Sequence, residues 1–273
     1  MFESRLQAFT ELHTQSTNPL TVTQVTAAPL VLVNVWDAAS AVLLQESGAK
    51  ALATSSASRA RSLGYPYGQV LPRQEFIGAV SRIVRVSKLP VSVDIESGYS
   101  DSPSEVVSLV TELVNLGVIG INLEDGDQQP ELLMAKIAAI RASKSCRNLF
   151  INARTDVFLR ELAVGKAATE MTKHRLTRYQ AAGANSGFIP GLVCEEIAAE
   201  LASDINMPLN LMVDNSLSSV DRLFKCGIVR FSVGPASFLH AYSALLKPQS
   251  LEETARSELA LLDYNRMNSL FTI

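Results

Sequence analysis

Acidic and guanidinium side chains gather at the ends of short apolar runs: Asp94 and Glu96 close residues 91–94, Glu124 follows 120–123, and Arg154 follows 149–153. Asp94 and Glu96 are two residues apart, so in extended backbone both carboxylates leave the same face. Glu124 projects from the next run, about 5 Å away laterally. Carboxylates this close would raise one another's pKa unless a cation lay between them. An oxygen-only donor set suits Mg2+ or Mn2+, with water completing the octahedron. Asp94, Glu96 and Glu124 are therefore the expected metal site. The competing reading has Glu96 and Asp101 capping the helix that begins near Pro103, with Glu124 paired to an arginine.

Arg154 sits inside Asn-Ala-Arg-Thr-Asp, where a guanidinium can hold a substrate carboxylate through two parallel hydrogen bonds. That predicts an anionic substrate. The alternative is an ion pair with Asp156 or Glu124. Other polar residues closing apolar runs are Asn34, Trp36 and Asp37, then Ser55 and Ser56. Gly234 and Pro235, after the last run, form a turn that could cup an anionic group. Two chemistries lack their residues. All eight lysines fall in expected helices or loops away from strand ends, which argues against a Schiff-base mechanism. No G-x-G-x-x-G or Walker pattern follows a strand, which argues against nucleotide binding. His13, His174 and His240 each lie in a helical stretch and read as structural.

The elements that must position these residues are βα units. Apolar runs at 30–35, 51–54, 91–94, 120–123, 149–153, 186–188, 209–213 and 228–233 alternate with helical patterns such as 76–86, 106–116, 133–142, 167–182 and 219–226. Eight parallel strands close a (β/α)8 TIM barrel, whose chemistry sits at the C-terminal strand ends. Gly117, Gly183 and Gly227 follow three of the helical stretches and fit helix-stopping positions. A helix at 2–12 should cross the barrel floor, and 251–262 offers one further amphipathic helix. A chain of 273 residues, 47% hydrophobic, suits a single barrel domain over 1–273 with an apolar interior.

A net charge of −3 with mixed signs gives no basic face for nucleic acid or anionic lipid. No signal-peptide pattern or membrane-length apolar run is present, so a cytoplasmic location is expected. Three scattered cysteines indicate neither disulfides nor a zinc site.

Read in order, six segments resemble the isocitrate lyase and phosphoenolpyruvate mutase superfamily: Asn34-Val-Trp-Asp-Ala-Ala-Ser-Ala, Ala53-Thr-Ser-Ser-Ala, Ser62-Leu-Gly-Tyr-Pro, Val93-Asp-Ile-Glu-Ser-Gly-Tyr, Asn122-Leu-Glu-Asp-Gly and Ile151-Asn-Ala-Arg-Thr-Asp. The resemblance implies that Asp94 binds Mg2+ directly while Glu96 and Glu124 contact its waters. It also implies that Arg154 and the segment Ser55, Ser56, Ala57 hold a small 2-oxo acid, beside Asn34 and Asp37. Members make or break C–C or P–C bonds next to a carbonyl through a metal-stabilised enolate. They also exchange their last helix between subunits, so 251–262 is expected at a homodimer or homotetramer interface.

Two departures narrow the expected reaction. Tyr67 stands where the family commonly has an aspartate near the metal, which disfavours mutase chemistry and makes Tyr67 a catalytic candidate beside Arg154 and Glu124. Gly126-Asp-Gln-Gln-Pro-Glu replaces the lysine- or cysteine-bearing gating loop, which disfavours isocitrate cleavage. The leading expectation is a Mg2+-dependent lyase or decarboxylase of an oxaloacetate-like acid. P–C chemistry and a catalytically silent, ligand-binding barrel are its rivals.

Overall fold

The computed structural model describes residues 2–14, 28–192, 194–213 and 219–246. Nine short segments form one all-parallel sheet: β1 (Leu30–Leu32), β2 (Asn34–Val35), β3 (Leu52–Thr54), β4 (Val91–Asp94), β5 (Gly120–Glu124), β6 (Phe150–Arg154), β7 (Ser186–Ile189), β8 (Leu209–Met212) and β9 (Arg230–Ser232). The expected first strand is broken at Val33. Its first half, β1, pairs with β9 and its second half, β2, pairs with β3, so eight strand positions run round a nearly closed TIM barrel.

Every strand from β3 to β9 except the end of β8 is buried throughout, as expected where helices cover the outer face. The helices are α1 (Phe2–Thr14), α2 (Ala38–Glu46), α3 (Ser56–Ser62), α4 (Arg73–Val86), α5 (Pro103–Leu116), α6 (Pro130–Ala142), α7 (Lys166–Ala182), α8 (Glu195–Asp204), α9 (Val220–Lys225) and α10 (Ala236–Ser243). Proline occupies the first turn of α5 and α6, where a missing N–H costs nothing. Gly117 and Gly183 end α5 and α7 at φ +102° and +113°, a left-handed conformation that strains any residue with a Cβ.

The core lies mainly between helices and sheet, where Phe76, Val80, Ile83, Leu109, Leu113 and Ile137 are buried against strand residues such as Val93, Ile121 and Ile151. Helix α1 plugs the barrel floor through Phe9, which packs with Leu30, Leu32 and Phe150. His13 stacks there too, its Nδ1 2.8 Å from the Phe9 carbonyl, and burial holds its pKa down to about 3. It is a neutral core residue.

The barrel interior corrects the apolar expectation. Asn122 Oδ1 accepts from Asn152 Nδ2 (2.9 Å) and Arg230 Nη2 (3.3 Å), and Asn152 Oδ1 accepts from Ser186 Oγ (2.7 Å). Polar side chains thus fill one level of the barrel by bonding to each other. The helix expected at 251–262 lies outside the described residues. Among those described, no helix is long and apolar enough to cross a membrane, and all three cysteines are free thiols.

Candidate active site

The C-terminal strand ends open into a cavity of about 560 Å³. Asp94, Asn122, Arg154 and Tyr67 line its polar side, with Ser55, Ser56 and Ala57, while Phe188, Met212, Val213 and Leu239 form an apolar wall.

Asp94 is the last residue of β4 and is held from several sides. Ser56 Oγ donates to Oδ2 (2.8 Å), the Glu96 amide donates to Oδ1 (3.1 Å), and Thr54 Oγ1 accepts the Asp94 amide (2.9 Å). The backbone then departs from the expected extended path. Glu96 has φ +53°, Gly98 +98° and Tyr99 +60°, so the strand ends at Asp94 and the two carboxylates do not share a pleat. Glu96 turns towards the Tyr99 hydroxyl (3.4 Å) and does not line the cavity. Lys136 fixes this turn from behind by donating to the Ser97 carbonyl (2.8 Å). Glu96 is therefore no helix cap, and Lys136, expected in a helix away from strand ends, braces from α6 the loop that carries it.

Glu124 ends β5 between two partners. The Tyr67 hydroxyl donates to Oε1 (3.2 Å), and Arg154 Nη1 lies 2.8 Å from Oε2 without the alignment of a hydrogen bond. Arg154 spends its better geometry on Asp156, with Nε to Oδ1 at 2.6 Å and Nη2 to Oδ2 at 3.1 Å. The alternative pairing considered for Arg154 is thus present, yet the guanidinium still lines the cavity beside Phe188, whose ring centroid is 5.7 Å from its Cζ. Asp156 is placed in turn by Asp125, which accepts its amide (3.0 Å) and bonds Arg175 (2.8 Å) and the Tyr179 hydroxyl (2.6 Å).

These contacts set the protonation tendencies. Burial, reinforced by Asp94, raises Glu96 to about 7. Burial raises Glu124 to about 8 against the pull of Arg154, with Asp156, Asp94 and Glu96 adding to the rise. Burial opposes the Arg154 cation, but Glu124 and Asp156 outweigh it and hold it charged. Arg154 is shared between Glu124 and Asp156, and Glu124 is left under-compensated. Burial also raises Tyr67, so its hydroxyl stays protonated.

A metal would meet hard oxygen donors here, though not in the expected shell. Among the described residues no three His, Cys, Asp or Glu side chains come close enough together to hold an ion. Asp94 faces the cavity, while Glu96 and Glu124 do not line it and have proton affinities raised mainly by burial, with neighbouring carboxylates adding to the rise. That arrangement fits an ion such as Mg2+ that takes one carboxylate and keeps several waters.

Several expected substrate contacts have other duties. Asp37 caps α2 in a capping box with Ser40 and does not line the cavity. Ser55 Oγ accepts the Ser58 amide and so caps α3, leaving the amides of Ser56 and Ala57 at the helix start without an intrahelical partner. Asn34 lines the cavity, but its Oδ1 accepts the amides of Val233 and Gly234 (3.0 and 2.9 Å). The Gly234 amide is therefore unavailable to cup an anion. The cavity also holds residues outside the expected set, Asn122 and Arg160 among them. Asn122 lies two residues before Glu124 on β5, a spacing that could have found it. Arg160 also lines the cavity, from a loop that carries no periodic signal.

A parallel barrel with its acidic strand ends and braced arginine around one mouth, in this motif order, defines an enzyme of the isocitrate lyase and phosphoenolpyruvate mutase superfamily. The family model described as phosphoenolpyruvate phosphomutase matches residues 20–251, and the chain belongs to that family. A Mycobacterium tuberculosis protein of uncharacterised function is 32% identical over 256 residues, covering 88% of this chain and 95% of its own length. Oxaloacetate decarboxylase 2 of Pseudomonas fluorescens is 28% identical, covering 82% of this chain and 78% of its own. Among solved structures, a candidate phosphonomutase from Burkholderia cenocepacia superposes with a TM-score of 0.81 at 34% identity, covering 89% of this chain and 98% of its own.

Proposed function

We propose that this protein is a divalent-metal-dependent lyase that cleaves a C–C bond at the carbon adjacent to the carbonyl of a small 2-oxo acid, as in decarboxylation of an oxaloacetate-like substrate. The observation that carries the reading is the cavity floor, where the Asp94 carboxylate and the Asp156-braced Arg154 guanidinium face the same space. Asp94 would hold the ion, Mg2+ or Mn2+, with Glu96 and Glu124 as acceptors for its waters. The bound ion supplies Lewis-acid stabilisation of enolate charge. Arg154 keeps N–H groups beyond those given to Asp156 and uses them on the substrate carboxylate. The amides of Ser56 and Ala57 offer further donors. Tyr67, neutral and positioned beside Glu124, would turn its single O–H from that carboxylate to a developing oxyanion.

A relative whose name is oxaloacetate decarboxylase supports C–C rather than P–C cleavage, as does a tyrosine where phosphoryl chemistry in the family uses an aspartate. The test incubates the Mg2+-loaded protein with oxaloacetate, its 3-alkyl derivatives and phosphonopyruvate. C–C cleavage is read by CO2 release with formation of pyruvate or its 3-alkyl homologue, and P–C cleavage by phosphorus NMR. Chelator-sensitive cleavage of the oxaloacetate class, abolished by Asp94→Asn, is expected. Phosphate release without C–C cleavage, or activity indifferent to chelator, would overturn the reading.

A further inference from the structure

We infer that Arg160 receives a second, distal carboxylate, so that the substrate is a diacid held at both ends with aliphatic bulk between. This rests on the oxo-acid reading above and specifies its substrate. Arg154 and Arg160 are the two cationic side chains lining the cavity among the described residues. They are linked through Asp156, whose Oδ2 accepts both Arg154 Nη2 (3.1 Å) and Arg160 Nε (3.2 Å). A single fully buried carboxylate thus sets the position of two guanidiniums, one of which, Arg154, also faces Glu124.

Arg160 is anchored through Nε alone. Its terminal nitrogens make no hydrogen bond among the described residues, and the nearest other carboxylate, Asp127, stands 4.0 Å from Nη1 and is itself exposed. The Arg160 side chain is 44% exposed, so its free edge is accessible from solvent. Gly126 lies against that edge. A Cβ there would stand 3.8 Å from Nη2, in ordinary van der Waals contact, so the guanidinium lies over the β5–α6 loop.

Leu159, Phe188, Met212, Val213 and Leu239 also line the cavity and carry no charge, so among the described lining residues Arg160 is the cation left for a distal carboxylate once Arg154 holds the inner one. The same surface favours alkyl groups over water. A volume of about 560 Å³ is in the range that encloses drug-sized ligands, well beyond the needs of a three-carbon monoacid.

The test measures binding by calorimetry to the Mg2+-loaded full chain, using oxalate and 2-oxobutyrate as probes of the inner end and 2-oxoglutarate as the diacid. Wild type should bind the diacid more tightly than 2-oxobutyrate. Arg160→Gln should weaken the diacid about tenfold, the size of a charge-assisted bond at a partly exposed rim, and leave oxalate and 2-oxobutyrate within about twofold. Arg160→Lys should recover most of the loss, and in turnover the Gln variant should raise KM for diacids with little change in kcat. Equal losses for mono- and diacids would mean that Arg160 acts only by bracing Asp156, and no loss would mean that it does nothing; either overturns the inference. If wild type binds oxalate and 2-oxobutyrate but prefers them to the diacid, only this inference fails. If wild type binds none of the probes, the oxo-acid reading fails first.

Discussion

A divalent cation should stabilise the metal-free protein more at pH 8 than at pH 6.5. Glu96 and Glu124, 2% and 5% exposed, hold protons up to about 7 and about 8, whereas the unfolded chain releases them near 4.5. The folded state therefore binds more protons than the unfolded state, and stability falls as pH rises from 4.5 through those values. Integrated between pH 6.5 and 8, Glu96 costs about 1 kcal/mol and Glu124 rather more, about 2 kcal/mol together. For a chain of this size that is roughly 4–8 °C in thermal midpoint. His13, neutral down to about 3, works in the opposite sense, but mainly below its unfolded value of 6.5. A cation beside Asp94 favours both ionised carboxylates, so it should restore the lost stability and expel protons as it binds. Calorimetric unfolding across this window, with and without Mg2+, reads the first effect. Titration in two buffers of different ionisation enthalpy reads the proton release. An apo midpoint that is flat or rising over the window, or a Mg2+ increment that does not grow with pH, would refute the argument.

Tyr67→Phe should lower kcat by about tenfold while metal affinity stays within twofold, measured by steady-state turnover and Mg2+ titration; an unimpaired Phe variant beside an improved Tyr67→Asp would reverse that assignment. Asp125→Ala leaves Arg175 buried without its carboxylate partner and removes the acceptor of the Asp156 amide, so denaturant unfolding should show a loss of about 3–5 kcal/mol. Truncation after Lys247 should convert an oligomer to monomer or aggregate by light scattering, because Leu259, Leu261 and Leu262 are proposed to pack on a neighbouring subunit. An unchanged mass and thermal midpoint would count against that interface.

The sequence carries the barrel clearly because each βα unit announces itself locally, through a buried apolar run, a helical period and, at Gly117 and Gly183, a left-handed stop. Asp94, Glu124 and Arg154 were legible for the same reason, each closing such a run. What was not legible depends on distant partners. The turn at Glu96 is fixed by Lys136 on another helix, and spacing alone suggested a continuing strand. Asp37 and Ser55 look like site residues by position, but their short oxygen-bearing side chains satisfy helix N-termini first. The polar level inside the barrel is invisible because Asn122, Asn152 and Arg230 meet only after five strands have come together.

The break at Val33 bears on how the chain becomes active. Asn34 is joined to Val233 and Gly234 across 199 and 200 residues, and β1 finds β9 over a similar span, so the barrel's seam is a contact that local folding cannot supply in advance. Those same residues, with Ser232, form one flank of the cavity. During synthesis the carboxylate side of the mouth leaves the ribosome long before its opposite flank. The cavity is completed only when the last strand docks on the first, so ligand binding is a readout of ring closure.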